Sequence, residues 1–103
     1  MVEVQIPETI KIGGFDYSVC YDDDELTRRR EWGHFWPLQR QLSLMKKASP
    51  QQLNCTFIHE LLHAVDDIYL ADQLEEGIVF SLANGLHQIF EQLGIRFVIK
   101  EVS

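Results

Sequence analysis

Two histidines four residues apart bracket a glutamate near the middle of the chain, in His59-Glu60-Leu61-Leu62-His63. On a helix, residues four apart lie one turn above each other on one face. Both imidazoles can then share a single metal ion. Zinc accepts imidazole nitrogen at about 2.0–2.1 Å in tetrahedral geometry. Two histidines, a carboxylate and a water make a catalytic site, and the ion brings that water's pKa to about 7. Glu60 is angled away from the two ligands but near the water. It is placed to take the water's proton and pass it to a leaving amine.

A third protein ligand must come from elsewhere. The second of two helical stretches supplies Glu75 and Glu76 near its start. Glu75 has a local task available, as partner of Asp72 in a capping box. Glu76 shares a helical side with Ala83 at the edge of the apolar stripe and can face the histidine helix, so it is preferred. Either acid also suits a helix N-terminus on dipole grounds alone. Asp66 and Asp67 are candidates to orient a ligand ring, or are plain surface acids. His34 is a turn residue or a stabiliser of an oxyanion. Tyr69 could polarise a carbonyl, but its apolar face points to core packing. Cys55 reads as a buried structural thiol. His87 lies about 16 Å along its helix from Glu76, too far to share a metal.

The histidines need a helix, and the flanking sequence predicts one. Ser49 is a candidate N-cap, Pro50 suits the first helical position and Gln52 completes a capping box. The pattern runs to about Leu70. Phe57, Ile58, Leu61, Leu62, Val65, Ile68 and Tyr69 share one broad apolar face, with Gln52, Thr56, His59, His63 and Asp66 on the other. A second helix is expected after Ala71, with Asp72 as N-cap and Glu75 at the third position. Val79, Leu82, Ala83, Leu86, Phe90 and Leu93 form its stripe, and Gly94 stops it. Upstream, Thr9–Ile12 and Phe15–Tyr21 alternate polar and apolar around Gly13-Gly14, a hairpin over roughly residues 8 to 21. Leu38 to Met45 reads as a third strand, 22–36 as polar and irregular with some of it helical or disordered, and Ile95 to Val102 as a short final strand or tail. The expected fold is α+β: a small antiparallel sheet with two packed helices, in one domain over residues 1–103.

Composition limits the function classes. The 103 residues carry a net charge of −7, which argues against direct binding to a nucleic-acid backbone. The run Asp22-Asp23-Asp24-Glu25 beside Arg28-Arg29-Arg30 reads as a solvated loop with local ion pairs, and EF-hand spacing is absent. Two cysteines, Cys20 and Cys55, do not make a disulfide framework. No stretch suits a membrane span or a signal core. A cytoplasmic protein is expected.

From residue 41 to 86 the chain resembles the compact gluzincins, specifically the small metallopeptidase-like proteins of phages and prophages. The resemblance rests on Gln41-Leu42-Ser43-Leu44, Ser49-Pro50, Phe57 to Val65 with its HExxH, Leu74-Glu75-Glu76-Gly77-Ile78-Val79, and Leu82 to Leu86. It implies a zincin-like minimal core and zinc-dependent peptide hydrolysis. The ligands would be His59, His63 and Glu76, with Glu60 as general base. It also implies a peptide or protein substrate lying antiparallel along the sheet's edge strand, here Gln39 to Met45. Asp66 and Tyr69 stand where a metzincin has glycine and a third histidine. The alternative is a non-catalytic, zinc-containing protein-interaction module, binding through the edge strand or the aromatic segment Trp32 to Trp36.

Overall fold

A computed structural model describes residues 1–99 and has the expected α+β class. Thr9–Ile12 (β2) and Phe15–Tyr21 (β3) pair antiparallel. Gly13 and Gly14 both have positive φ, at 59° and 84°, as a two-residue turn matched to strand twist requires. Gly13 also abuts Ile68, so a side chain there would collide with the histidine helix.

The polar segment 22–36 holds a helix, which its reading allowed, and a strand, which it did not. Asp23–Arg29 forms a helix (α1), capped by Asp22, with Asp23, Asp24 and Glu25 in its first turn and Arg28 and Arg29 in its last. The expected ion pairs form, Glu25 to Arg28 at 2.7 Å and to Arg29 at 3.2 Å, but on a helix rather than a loop. Charges so ordered complement the helix dipole, and fully buried Leu26 anchors the element. Gly33–Trp36 is a strand (β4) and Gln41–Leu44 another (β5).

These strands correct the expected sheet. Its order is β2-β3-β5-β4, and β3 runs parallel to β5. The chain leaves β3, passes through α1 and β4, and only then returns, so β5 enters in the direction of β3. The sheet is mixed, and the strand expected at the edge is internal. β4 holds that edge. Both faces of β5 are accordingly covered. Leu42 and Leu44 are buried, and so is Ser43, whose hydroxyl accepts from Trp36 Nε1 at 2.9 Å.

Pro50–Tyr69 forms the histidine helix (α2), with Ser49 accepting from Gln52 N–H at 3.2 Å. The capping box is half made, because Gln52 reaches forward to Thr56 Oγ1. Burial is wider than one apolar face. Asn54, Thr56, Glu60 and Asp66 are buried as well as Phe57 and Ile58, whereas Tyr69 is 65% exposed and does not join the core. Asn54 bonds both backbone groups of Phe97 at 2.7 Å. It thereby clamps Ile95–Val98 (β6), which pairs parallel with Val2–Gln5 (β1) in a second, two-stranded sheet. Residues 100–102, the remainder of the expected final strand, lie outside the described residues.

The second long helix (α3) spans Glu76–Gln92 and starts later than expected. Asp72 is no cap. It and Ala71 have left-handed backbone, with φ of 57° and 54°. The carboxylate of Asp66 takes the Gln73 and Leu74 N–H groups instead, satisfying the chain between the helices from inside the fold. Glu75 becomes the N-cap and makes no side-chain capping bond. Leu82 and Leu93, expected in the stripe facing α2, are 45% and 65% exposed. No helix among the described residues is long and apolar enough to cross a membrane.

Candidate metal centre

α2 carries His59, Glu60 and His63, and each presents a ligand atom within 4.8 Å of the other two. These three residues form a group that could hold a metal ion. Glu76, the first residue of α3, completes the picture from across the inter-helix loop. Its Oε1 lies 2.7 Å from His59 Nε2 and its Oε2 lies 2.9 Å from His63 Nε2. The two Nε2 atoms are 3.1 Å apart. Ligands held at zinc's bond lengths on a tetrahedron are separated by about 3.3 Å. The three groups are therefore a few tenths of an ångström closer than such a set requires, and all three aim at one another. Of the two acids near the ring nitrogens, Glu76 rather than Glu60 occupies the point on which both converge. Glu75, the other ligand candidate, caps α3 and makes no contact with either ring among the hydrogen bonds and ion pairs described.

The environments differ in a way that separates roles. Glu60 is only 5% exposed, whereas the Glu76 side chain is 69% exposed. Burial first, then the Glu76 and Glu31 charges, push the Glu60 carboxyl up to about 8 in the metal-free protein. Burial holds the His63 imidazole below its ordinary value, with Glu76 opposing. A neutral ring is the form that ligates metal. The His63 ring also stacks on Phe35, 6.2 Å between centroids and 7° from parallel, which fixes its plane.

Gly33 of β4 is a site residue that the sequence reading passed over. A Cβ there would meet Thr56, the Ser43 carbonyl oxygen and Glu60 Oε2. Only glycine lets the edge strand lie this close over Glu60. An isolated glycine among strand-forming aromatics signals close backbone approach, and Trp32-Gly33-His34-Phe35-Trp36 carries that signal.

A cleft runs between β4 and the two long helices. One lobe of about 220 Å³ is walled by Trp32, Gln52, Cys55 and Phe80. Another, of about 500 Å³, is walled by His34, Phe35, Pro37, His63, Asp67 and Asp72. Glu31, Gly33, His59, Glu60 and Glu76 line both. Among the described residues no lysine or arginine lines either lobe, so the cleft favours cations.

The other candidates fall outside this group. The His34 ring bonds Glu31 at 2.9 Å and packs on Trp36 at 4.3 Å. Strand alternation turns its side chain to the sheet face opposite Gly33 and Phe35, and it is not one of the three clustered ligand groups, but the residue lines the larger lobe with His59, Glu60, His63 and Glu76. Asp66 spends its oxygens on the inter-helix loop, not on a ligand ring, and is buried rather than a surface acid. Asp67 lines the larger lobe. Cys55 is partly buried and donates to Asn84 Oδ1 at 3.1 Å, linking α2 to α3. Both cysteines are free. His87 sits 3.5 Å from Glu91, near the far end of α3.

Compared with protein-family models, curated proteins and solved structures, the chain matches none.

Proposed function

We propose that this protein is a zinc-dependent peptide-bond hydrolase. The observation that carries the proposal is the convergence of His59 Nε2 and His63 Nε2, 3.1 Å apart, on Glu76, whose Oε1 and Oε2 lie 2.7 and 2.9 Å from them, beside buried Glu60 in an open cleft. Two imidazoles and one carboxylate leave a tetrahedral ion one open position. Zinc bound there would supply Lewis acidity, polarising a carbonyl and acidifying water towards a pKa of about 7.

The chain's own groups do the rest. Glu60 accepts a proton from the water that attacks the carbonyl carbon. When the C–N bond breaks, it gives that proton to the leaving nitrogen. A carboxyl near 8 without metal and lower beside a dication sits close to the working pH, where a proton carrier is most effective. The exposed edge of β4 supports a substrate strand there. Met45 N–H donates to the Trp32 carbonyl at 3.1 Å, so Trp32, His34 and Trp36 turn their backbone groups inward to β5. By alternation, Gly33 and Phe35 turn theirs outward. An extended peptide adding to this edge would lie directly across the metal group.

The test is zinc content and peptide hydrolysis, measured on the protein and two variants. We expect one zinc per chain, lost in His59→Ala. Glu60→Gln should keep zinc and fold while hydrolysis falls at least 10²-fold. Hydrolysis unchanged in Glu60→Gln would overturn the assigned role. Zinc without hydrolysis would favour the non-catalytic interaction module.

A further inference from the structure

α3 carries more apolar side chains than α2 can cover. Val79 and Ala83 are its buried residues. Ile78, Leu82, Ile89 and Leu93 are 47%, 45%, 52% and 65% exposed. With Gly85 they follow one another at steps of four, three, four and four, so they form a single stripe. The charged residues of α3, Glu76 and Glu91, lie on the opposite side of the helix.

The stripe has a symmetry of its own. Leu82 and Ile78 stand three and seven residues before Gly85. Ile89 and Leu93 stand three and seven residues after Leu86. Two α3 helices laid antiparallel and crossing at this midpoint would set Ile78 on Leu93 and Leu82 on Ile89, each pair occurring twice. Leu86 of each helix would enter the gap at Gly85 of the other. A two-fold interface demands such self-complementarity. Glycine inside a helix is a destabilising choice, and a Cβ at Gly85 would meet nothing within 4 Å in the single chain. A neighbour crossing there explains it.

From this we infer that α3 is the contact face of a homodimer, an antiparallel two-fold pair centred on Gly85 and Leu86. The size is adequate. The four exposed side chains present roughly 400 Å² of apolar surface, and a standard partner buries about 800 Å² of which some 56–58% is non-polar. Charge on this face is compatible with a second copy. The stripe carries no charged side chain from Ile78 to Leu93, so two copies of net charge −7 can meet on it without setting like charges against each other, with salt screening the rest.

The test is sedimentation equilibrium of the full zinc-loaded chain from about 1 μM to 1 mM. Twice the chain mass is expected, with Leu82→Glu weakening association at least 100-fold. Gly85→Leu should do the same at unchanged circular dichroism, since its side chain has open space in the monomer. A Leu82→Cys, Ile89→Cys double variant should cross-link between copies on oxidation. A monomer up to 1 mM would overturn the inference, and would leave the stripe to a vesicle surface or another protein's helix. So would a dimer indifferent to both Leu82→Glu and Gly85→Leu.

Discussion

Glu60 and Gly33 are coupled through the small space they share. In the metal-free protein the folded Glu60 carboxyl titrates at about 8, above its unfolded value of 4.5. Between those values the native state binds more protons than the unfolded state. Stability therefore falls as pH rises from about 4.5 to 8, by at most ~1.4 kcal/mol per pH unit. In chelator, Glu60→Gln should flatten this slope and melt higher than the parent at pH 8. Thermal melts from pH 5 to 9 check both, and a slope unchanged in the variant would place the titration elsewhere. Gly33→Ala should cost roughly 1–3 kcal/mol, because β4 must retreat from Thr56, Ser43 and Glu60. Gly77→Ala, where nothing lies within 4 Å, should be neutral or stabilising by about 0.4–1 kcal/mol. Urea titrations of the pair separate collision from loss of glycine freedom.

The elements show which kinds of information a linear pattern holds. The Gly13-Gly14 turn, the Ser49-Pro50 helix start and the histidine spacing were legible because each is a relation among residues within one turn of chain. The start of α3 was not. Asp72 has the right chemistry for a cap, but Asp66, six residues earlier, bonds Gln73 and Leu74 more effectively from a buried position. Asp66 looked like a polar-face acid because its partners become neighbours only when the helix ends. The parallel β3–β5 pairing and the edge position of β4 were hidden for the same reason, since strand order is a non-local property. Gly33 was visible as a glycine, but the wall it approaches was not. Asp66→Asn should cost about 1.5–3 kcal/mol, as one charged acceptor of two N–H bonds is lost. Because the same loop delivers Glu76 to the histidines, it should also weaken zinc retention more than it weakens the fold. Competition against a fluorescent chelator, set beside a urea titration, measures the two effects separately. Equal losses would deny the loop a role in placing Glu76.

Across the whole molecule, stability is unevenly distributed. β5 lies inside the larger sheet with Leu42, Ser43 and Leu44 sealed. β1 is exposed at all four residues and has β6 as its strand partner. The pairing joins Val2 to Ile95, so nearly the whole chain must be in place before it can close, and the closure entropy is gained back by a short ladder. Folding should therefore end at this seam, and fluctuations should begin there. Amide hydrogen exchange read residue by residue would show it. Leu42 and Leu44 should exchange only through global unfolding, while Val2 to Gln5 exchange at low opening energy with the cleft still protected. Uniform protection along the chain would instead mean that the two sheets open as a single cooperative unit. On the expected outcome, the β1–β6 seam breathes on its own clock, and the half of the molecule that carries the cleft does not feel it.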